Sequence, residues 1–162
     1  MSIEDFIFFT PTQLAEARKQ AVYTNNERIV NEFNNLFKYI TQEVQRELNA
    51  KLLAKTQSTW EKTDSKQCSI SFFAHELISK HLLVSNQEEI IVSYYSFNRH
   101  KNLNERLYDI VCSTRGDKHI KLNYFICDLL IPIISKLEKI GYAIRWDFYT
   151  NVWGFTVTWK LI

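Results

Sequence analysis

Residues 141–159 read GYAIRWDFYTNVWGFTVTW and hold three of the chain's four tryptophans. Tyr142, Ile144, Trp146 and Phe148 alternate with Ala143, Arg145, Asp147 and Tyr149. After TNVWG, Phe155, Val157, Trp159 and Leu161 alternate with Thr156, Thr158 and Lys160. Side chains on a strand point to opposite faces in turn, so two period-two runs around a turn predict an antiparallel β-hairpin with one apolar face. Most of these aromatics are then core. Trp153 and Tyr149 are not part of the apolar face and are the expected exposed contacts, Trp153 as an anchor for a partner.

The apolar face of a hairpin needs cover, and the preceding segment NYFICDLLIPIISKLEKIGY supplies it. It predicts a helix that offers Leu129, Ile133, Leu137 and Ile140 to the strands. Gly141 stands where a left-handed C-terminal cap is needed. Asn123 is expected as the N-cap. Pro132 inside the segment implies a kink, or a later start capped by Asp128. HIKLN, before it, alternates and is expected as a strand.

At the other end of the chain, TPTQ is a helix start: Thr10 caps, Pro11 suits the first turn and Gln13 completes a capping box. Leu14, Ala17, Ala21, Ile29, Phe33, Phe37, Ile40, Val44, Leu48 and Leu52 then keep mostly to a three-or-four spacing. No Gly or Pro forces a break before about Lys55, which allows a helix roughly 60 Å long. That exceeds the diameter of a small domain. Either the helix bends near Thr24–Asn26, or part of it projects and packs against another chain.

Between the two ends the signals are shorter. STWEKTDSKQ is polar and reads as a linker, with Trp60 pinned to the core. CSISF alternates and is expected as a short strand. FAHELISKHLL looks helical. SNQEEIIVSYYSF combines a capping box, Ser85 and Glu88, with residues that prefer strands, and a helix is expected. LNERLYDIVCS is expected as a helix stopped by Gly116. The fold class that results is α+β: a long N-terminal helix, several shorter helices, and a C-terminal helix followed by an antiparallel β-hairpin. The expected division is an N-terminal arm and long helix over 1–58, and a compact α+β domain over 59–162.

Composition bounds the chemistry. With 46 % hydrophobic and 14 % aromatic residues, the chain has ample material for a packed core. A net charge of +2 is too small to point by itself to nucleic acid or an anionic membrane. Three cysteines, Cys68, Cys112 and Cys127, have no paired spacing and read as reduced, mostly buried thiols. No apolar run reaches the length of a membrane span. Glu4 and Asp5 stand where a signal peptide carries basic residues, so none is expected.

Catalytic and metal-site patterns are missing from the sequence. His75, His81, His100 and His119 have no metal-site spacing, and there is no C-x-x-C, H-E-x-x-H, Walker loop or G-x-S-x-G. His75 and Glu76 are adjacent on an expected helix and point apart. Arg115–Asp117 spells RGD and reads as a turn. No catalytic residue, metal or cofactor is therefore expected. The main basic cluster is Arg99, Lys101, Arg106, Lys118 and Lys121, a candidate phosphate-binding set diluted by acids. A helix followed by a hairpin also resembles the second half of a winged-helix domain. There the helix enters the major groove and the hairpin is the wing, but Ser135, Lys136, Glu138 and Lys139 offer thin chemistry for it.

LAEARKQAVYTNNERIVNEF near the start and LEKIGYAIRWDF…GFTVTW near the end resemble a type of small α+β protein encoded by tailed phages and large DNA viruses. The likeness covers roughly Leu14 to Leu48 and Ile133 to Trp159. It departs from that type in lacking the glycine that closes the first helical region, so the length of the first helix stays open. The resemblance implies a viral origin and a small assembly or particle protein, in the virion or the cytoplasm of the infected host cell. It carries no catalytic residues.

The expectation is a non-enzymatic protein that works by contact with protein subunits, its own or other particle proteins. The expected contact residues are Phe6, Ile7, Phe8, Phe9 and Trp153, together with the long helix. Four large apolar side chains in a row before any helix signal want a surface to lie on. The alternative is a winged-helix-like nucleic-acid-binding protein using the basic cluster.

Overall fold

The computed structural model describes residues 7–59, 67–82, 85–98, 117–149 and 152–161. The first helix, α1, runs unbroken from Pro11 to Thr59, 49 residues and about 74 Å. Its start is the capping box: Gln13 N donates to Thr10 Oγ1 at 3.1 Å, and Thr10 N donates to Gln13 Oε1 at 2.8 Å. There is no bend at Thr24–Asn26 that interrupts the helix, and its end takes in Ser58 and Thr59 from the expected linker. Trp60 lies outside the described residues.

Strand β1 (Gln67–Phe73) follows, then helices α2 (Ala74–Ser79) and α3 (Ser85–Phe97). The strand expected at CSISF and the helix expected at SNQEEIIVSYYSF are both present. The helix expected at LNERLYDIVCS, with its Gly116 stop, lies outside the described residues. Helix α4 spans Asp117–Lys139, and strands β2 (Ala143–Tyr149) and β3 (Val152–Lys160) form the hairpin.

Two expectations near α4 need correction. HIKLN is not a strand but lies in the first two turns of α4, so neither Asn123 nor Asp128 is an N-cap. Five alternating residues were too few to outweigh Leu122, Phe125, Ile126, Leu129, Leu130 and Ile133, whose spacing is helical. Pro132 stays inside the helix on its exposed side. The helix ends as a Schellman motif. Gly141 N donates to Glu138 O, Tyr142 N donates to Leu137 O, and Gly141 takes φ 114°, a region that a side chain disfavours.

The hairpin is part of a three-stranded antiparallel sheet of order β1-β3-β2, with β3 in the centre. Its inner face is Cys68, Ile70 and Phe72 from β1, Trp153, Phe155 and Val157 from β3, and Ile144, Trp146 and Phe148 from β2. Helices α1, α2 and α4 cover that face, and α3 packs on α1 and α4 away from the sheet. The outer face is largely polar. Ser69 bonds Thr158 at 3.2 Å and Ser71 bonds Thr156 at 2.8 Å, hydroxyl pairs set opposite each other by the register.

Trp153 corrects the sequence reading most clearly. It is 5 % exposed, inside the core, with its ring 5.6 Å from that of Trp146. TNVWG, which separates the two alternating runs, is not all turn: β3 begins at Val152 and Gly154 lies within it. A Cβ there would sit 2.3 Å from the Phe72 carbonyl oxygen, so the glycine serves a close approach of two strands. Trp153 then has the same parity as Phe155 and Val157. Ile140, expected as cover for the strands, is exposed instead.

Residues 33–52 of α1 share one core with α2, α3, α4 and the sheet. Within it Leu36, Ile40, Val44, Leu48 and Leu52 are buried at steps of four. Each step overshoots a turn by about 40°, so the buried stripe winds roughly 160° around the helix. That winding lets one helix meet α3 at one end and β1 at the other. Phe33 stacks on Tyr94 at 3.6 Å, while Trp159 Nε1 donates to Thr56 Oγ1. Lys80, just past α2, pairs with Glu47 on the same helix.

Candidate partner-binding surface

Core burial on α1 begins at Ile29. The first five turns of the helix, from Pro11 to Arg28, are exposed except for Asn26, which is half-buried. Within that segment Leu14 is 57 % exposed, Val22 52 % and Tyr23 60 %. Before the helix, Ile7, Phe8 and Phe9 are exposed at 91, 73 and 77 %. The fourth expected arm residue, Phe6, lies outside the described residues.

Two apolar positions of the projecting segment, Ala15 and Val22, continue the core stripe, while Leu14 and Tyr23 stand about 80–100° to either side of it. Eighteen residues make about five full turns, so Val22 lies on the same side of the helix as Ile40. Ala15, Arg18, Lys19, Val22 and Asn26 share this face, with Tyr23 at its edge. The side of α1 that packs on α3 and α4 in the body thus runs on into solvent. Its rim charges are near balance: Glu16 pairs with Lys19 at 3.5 Å, and Arg28 pairs with Glu32 at 3.0 Å. Such exposed pairs contribute little to stability, and they leave the apolar positions open between them.

The expected nucleic-acid set is not gathered into a site. Arg99, Lys101 and Arg106 lie outside the described residues, and so does the side chain of Lys118. Lys121 is half-buried and donates to Ser96 Oγ at 2.9 Å, tying α4 to α3. With β1 added to the hairpin, the element order is compatible in shape with a winged helix. Phe125, Ile126, Cys127, Leu129, Leu130, Ile133 and Ile134 bury one side of the helix before the hairpin, and Ser135, Lys136, Glu138 and Lys139 are exposed on the other.

The buried polar groups near α4 hold helices together. Tyr95 donates to Asp128 Oδ2 at 2.5 Å, and burial raises the Tyr95 hydroxyl well above its usual range, with the Asp128 hydrogen bond adding. Burial, with the Asp128 charge adding, pushes the Cys127 thiol up to about 12. A thiol held so is a small apolar residue and a poor nucleophile. Cys68 is likewise free and buried.

A hollow of about 510 Å³ lies beside the hairpin's first strand, lined by Tyr142, Trp159, Gln67 and Lys160 among others, with no carboxylate. Among the described residues, no three His, Cys, Asp or Glu side chains group as metal ligands. No helix among them is long and apolar enough to cross a membrane.

Sequence reasoning identifies the apolar arm and leaves the length of α1 open. It did not find that burial stops at Ile29, because Leu14, Ala17 and Ala21 keep the same spacing as the core residues. No family model, curated protein or solved structure matches the chain.

Proposed function

We propose that the chain is a non-enzymatic structural or assembly protein of viral type, a minor component of a particle. It acts by protein–protein contact through residues 7–28. The observation that carries the reading is the projection of α1. The body buries the helix only from Ile29, while Ile7, Phe8, Phe9, Leu14, Val22 and Tyr23 stay exposed ahead of it.

Burying each such side chain fully is worth about 1.5–3 kcal/mol. Six of them supply a driving force large enough to offset the ordering cost of association. A helix that presents exposed apolar side chains docks into a groove or against another helix. The partners are subunits of the assembly, further copies of this chain or other particle proteins. The locations that go with this reading are the virion and the cytoplasm of the infected cell. The viral part of the proposal rests on the resemblance at the two ends of the chain.

Nucleic-acid binding has less support. The one described basic side chain of its cluster is tied to Ser96, and the exposed face of the helix before the hairpin offers only Lys136 and Lys139, with Glu138 between them. Mass spectrometry of particles purified from the source of the chain tests the leading reading. The protein is expected among their components at low copy, and its absence there overturns the particle assignment.

A further inference from the structure

Strand β2 is an edge. Among the described residues it pairs with β3 alone, over the continuous register Ala143↔Thr158 to Tyr149↔Val152. Its other side presents a row of backbone N–H and C=O groups. Edge strands are commonly blunted by proline, lysine or a bulge, because an open edge templates pairing with another chain. β2 has no proline, lysine or bulge, and the two charged side chains it carries, Arg145 and Asp147, are of opposite sign. It is AIRWDFY, and its register runs without a skipped residue.

The sequence of this edge is complementary to itself. Paired antiparallel with a second copy about a two-fold axis at Trp146, residues i and 292 − i face each other. Arg145 then stands opposite Asp147 of the other copy, and Asp147 opposite the other Arg145. These are two opposite-charge pairs on the outer face. On the inner face Ile144 meets Phe148, and Trp146 meets Trp146. Ala143, the smallest side chain, meets Tyr149.

Arg145 has the capacity for this. Asp147, 15 % exposed, already accepts from Arg145 at Oδ1 and from Thr156 at Oδ2, and would take a further bond on its remaining lone pairs. Arg145 donates from Nε to Asp147 Oδ1 at 2.9 Å and from Nη2 to Thr156 Oγ1 at 3.3 Å. A guanidinium has five N–H donors, so three remain. Its side chain is 74 % exposed. Ile144, Trp146 and Phe148 are only half-buried in one copy, so a neighbouring sheet edge has apolar surface left to cover.

We infer that β2 is a homodimer interface, at which two copies join their edges into one continuous six-stranded sheet. The partner is a second copy, because charge and size complementarity occur in the strand's own register. This surface is separate from residues 7–28, and the inference stands independently of the function proposed for them.

The test combines sedimentation equilibrium with amide exchange on the intact chain over a wide concentration range. The expected result is a monomer–dimer equilibrium in which protection of amides 143–149 rises with concentration. Asp147→Arg sets like charges opposite each other and is expected to weaken dimerisation about tenfold or more. The double variant Arg145→Asp with Asp147→Arg restores opposite pairs, and is expected to recover most of the loss in dimerisation when measured well below its own melting temperature. If the single variant fails to fold, the exchange data on the unmodified chain still decide. A chain that stays monomeric, or a dimer whose exchange at 143–149 ignores concentration, overturns the inference. So does a folded double variant without recovery. A dimer lost on removing residues 1–28 but indifferent to Asp147→Arg also overturns it, and assigns self-association to the projecting helix.

Discussion

The indole Nε1 of Trp159 donates to Thr56 Oγ1 at 3.0 Å, joining the last strand to the far end of the first helix across 103 residues. The bond sits where the winding stripe of α1 has turned towards the sheet. It is a half-buried neutral pair, so its net contribution is modest. Trp159→Phe and Thr56→Val in a double-mutant cycle are expected to show a coupling of about 0.5–1.5 kcal/mol in chemical denaturation. A coupling near zero would remove this tie from the account.

Trp153 is expected to be among the costliest residues of the sheet to truncate. It is buried at 5 % exposure and packs against Trp146. Trp153→Ala should destabilise by about 3–5 kcal/mol. A surface anchor would lose partner binding and leave the melting temperature alone, so the two readings separate in one thermal scan.

Gly154→Ala is expected to destabilise despite adding a single methyl. The new Cβ would meet the Phe72 carbonyl oxygen at 2.3 Å, a backbone atom that moves only if β1 and β3 part. Overpacking of this kind costs about 1–3 kcal/mol. An alanine variant as stable as the parent would show that the strands are not held so close.

These two residues also show where the sequence ran out. The alternation in the tail was legible because a sheet with one covered face imposes a period of two. The hairpin, its apolar face and the Gly141 cap could all be read from it. Trp153 was lost because a glycine beside it imitates a turn, and only the neighbouring strand reveals that Gly154 serves a close approach. The third strand was visible as CSISF, but its pairing with β3 depends on a contact more than eighty residues away. HIKLN failed for the opposite reason, since five alternating residues fit a strand as well as they fit a helix start. The arm at Ile7–Phe9 was legible from hydrophobicity alone. The limit of the body on α1 was not, because Val22 and Ile40 occupy the same side of the helix and differ only in what lies opposite.

Asp147 gives the outer sheet face an acid-side pH dependence. Hydrogen bonds from Thr156 and then Arg145, with the Arg145 charge adding, hold its carboxyl below the usual range. A depressed value favours the carboxylate in the folded state. The stabilisation is therefore present above about pH 4, where the unfolded carboxyl ionises, and is lost as pH falls through the lower folded value. Asp147→Asn should lower the melting temperature at neutral pH, with the difference from the parent shrinking on acidification. A constant difference across that range would contradict this role.

Cys127 acts at the alkaline end. Its thiol is raised to about 12, while an unfolded cysteine ionises near about 8.5. The neutral thiol's contribution is complete below about pH 8.5 and is lost as pH climbs towards the folded value. Alkylation mapped at mildly alkaline pH should leave Cys127 unmodified in the folded protein and modify it after denaturation. Rapid modification of the native protein would show that the α3–α4 contact opens readily.

In the function proposed above, residues 7–28 make the contacts by which the chain joins an assembly, while Ile29 onward folds without them. The most direct test supplies the intact chain and a variant lacking residues 1–28 together during particle formation, and measures their ratio in purified particles by mass spectrometry. The truncated chain should keep the melting temperature of the parent's body to within a few degrees, yet be depleted from particles at least about tenfold, the loss of roughly 1.4 kcal/mol of binding. Equal incorporation of a folded truncated chain would contradict the account.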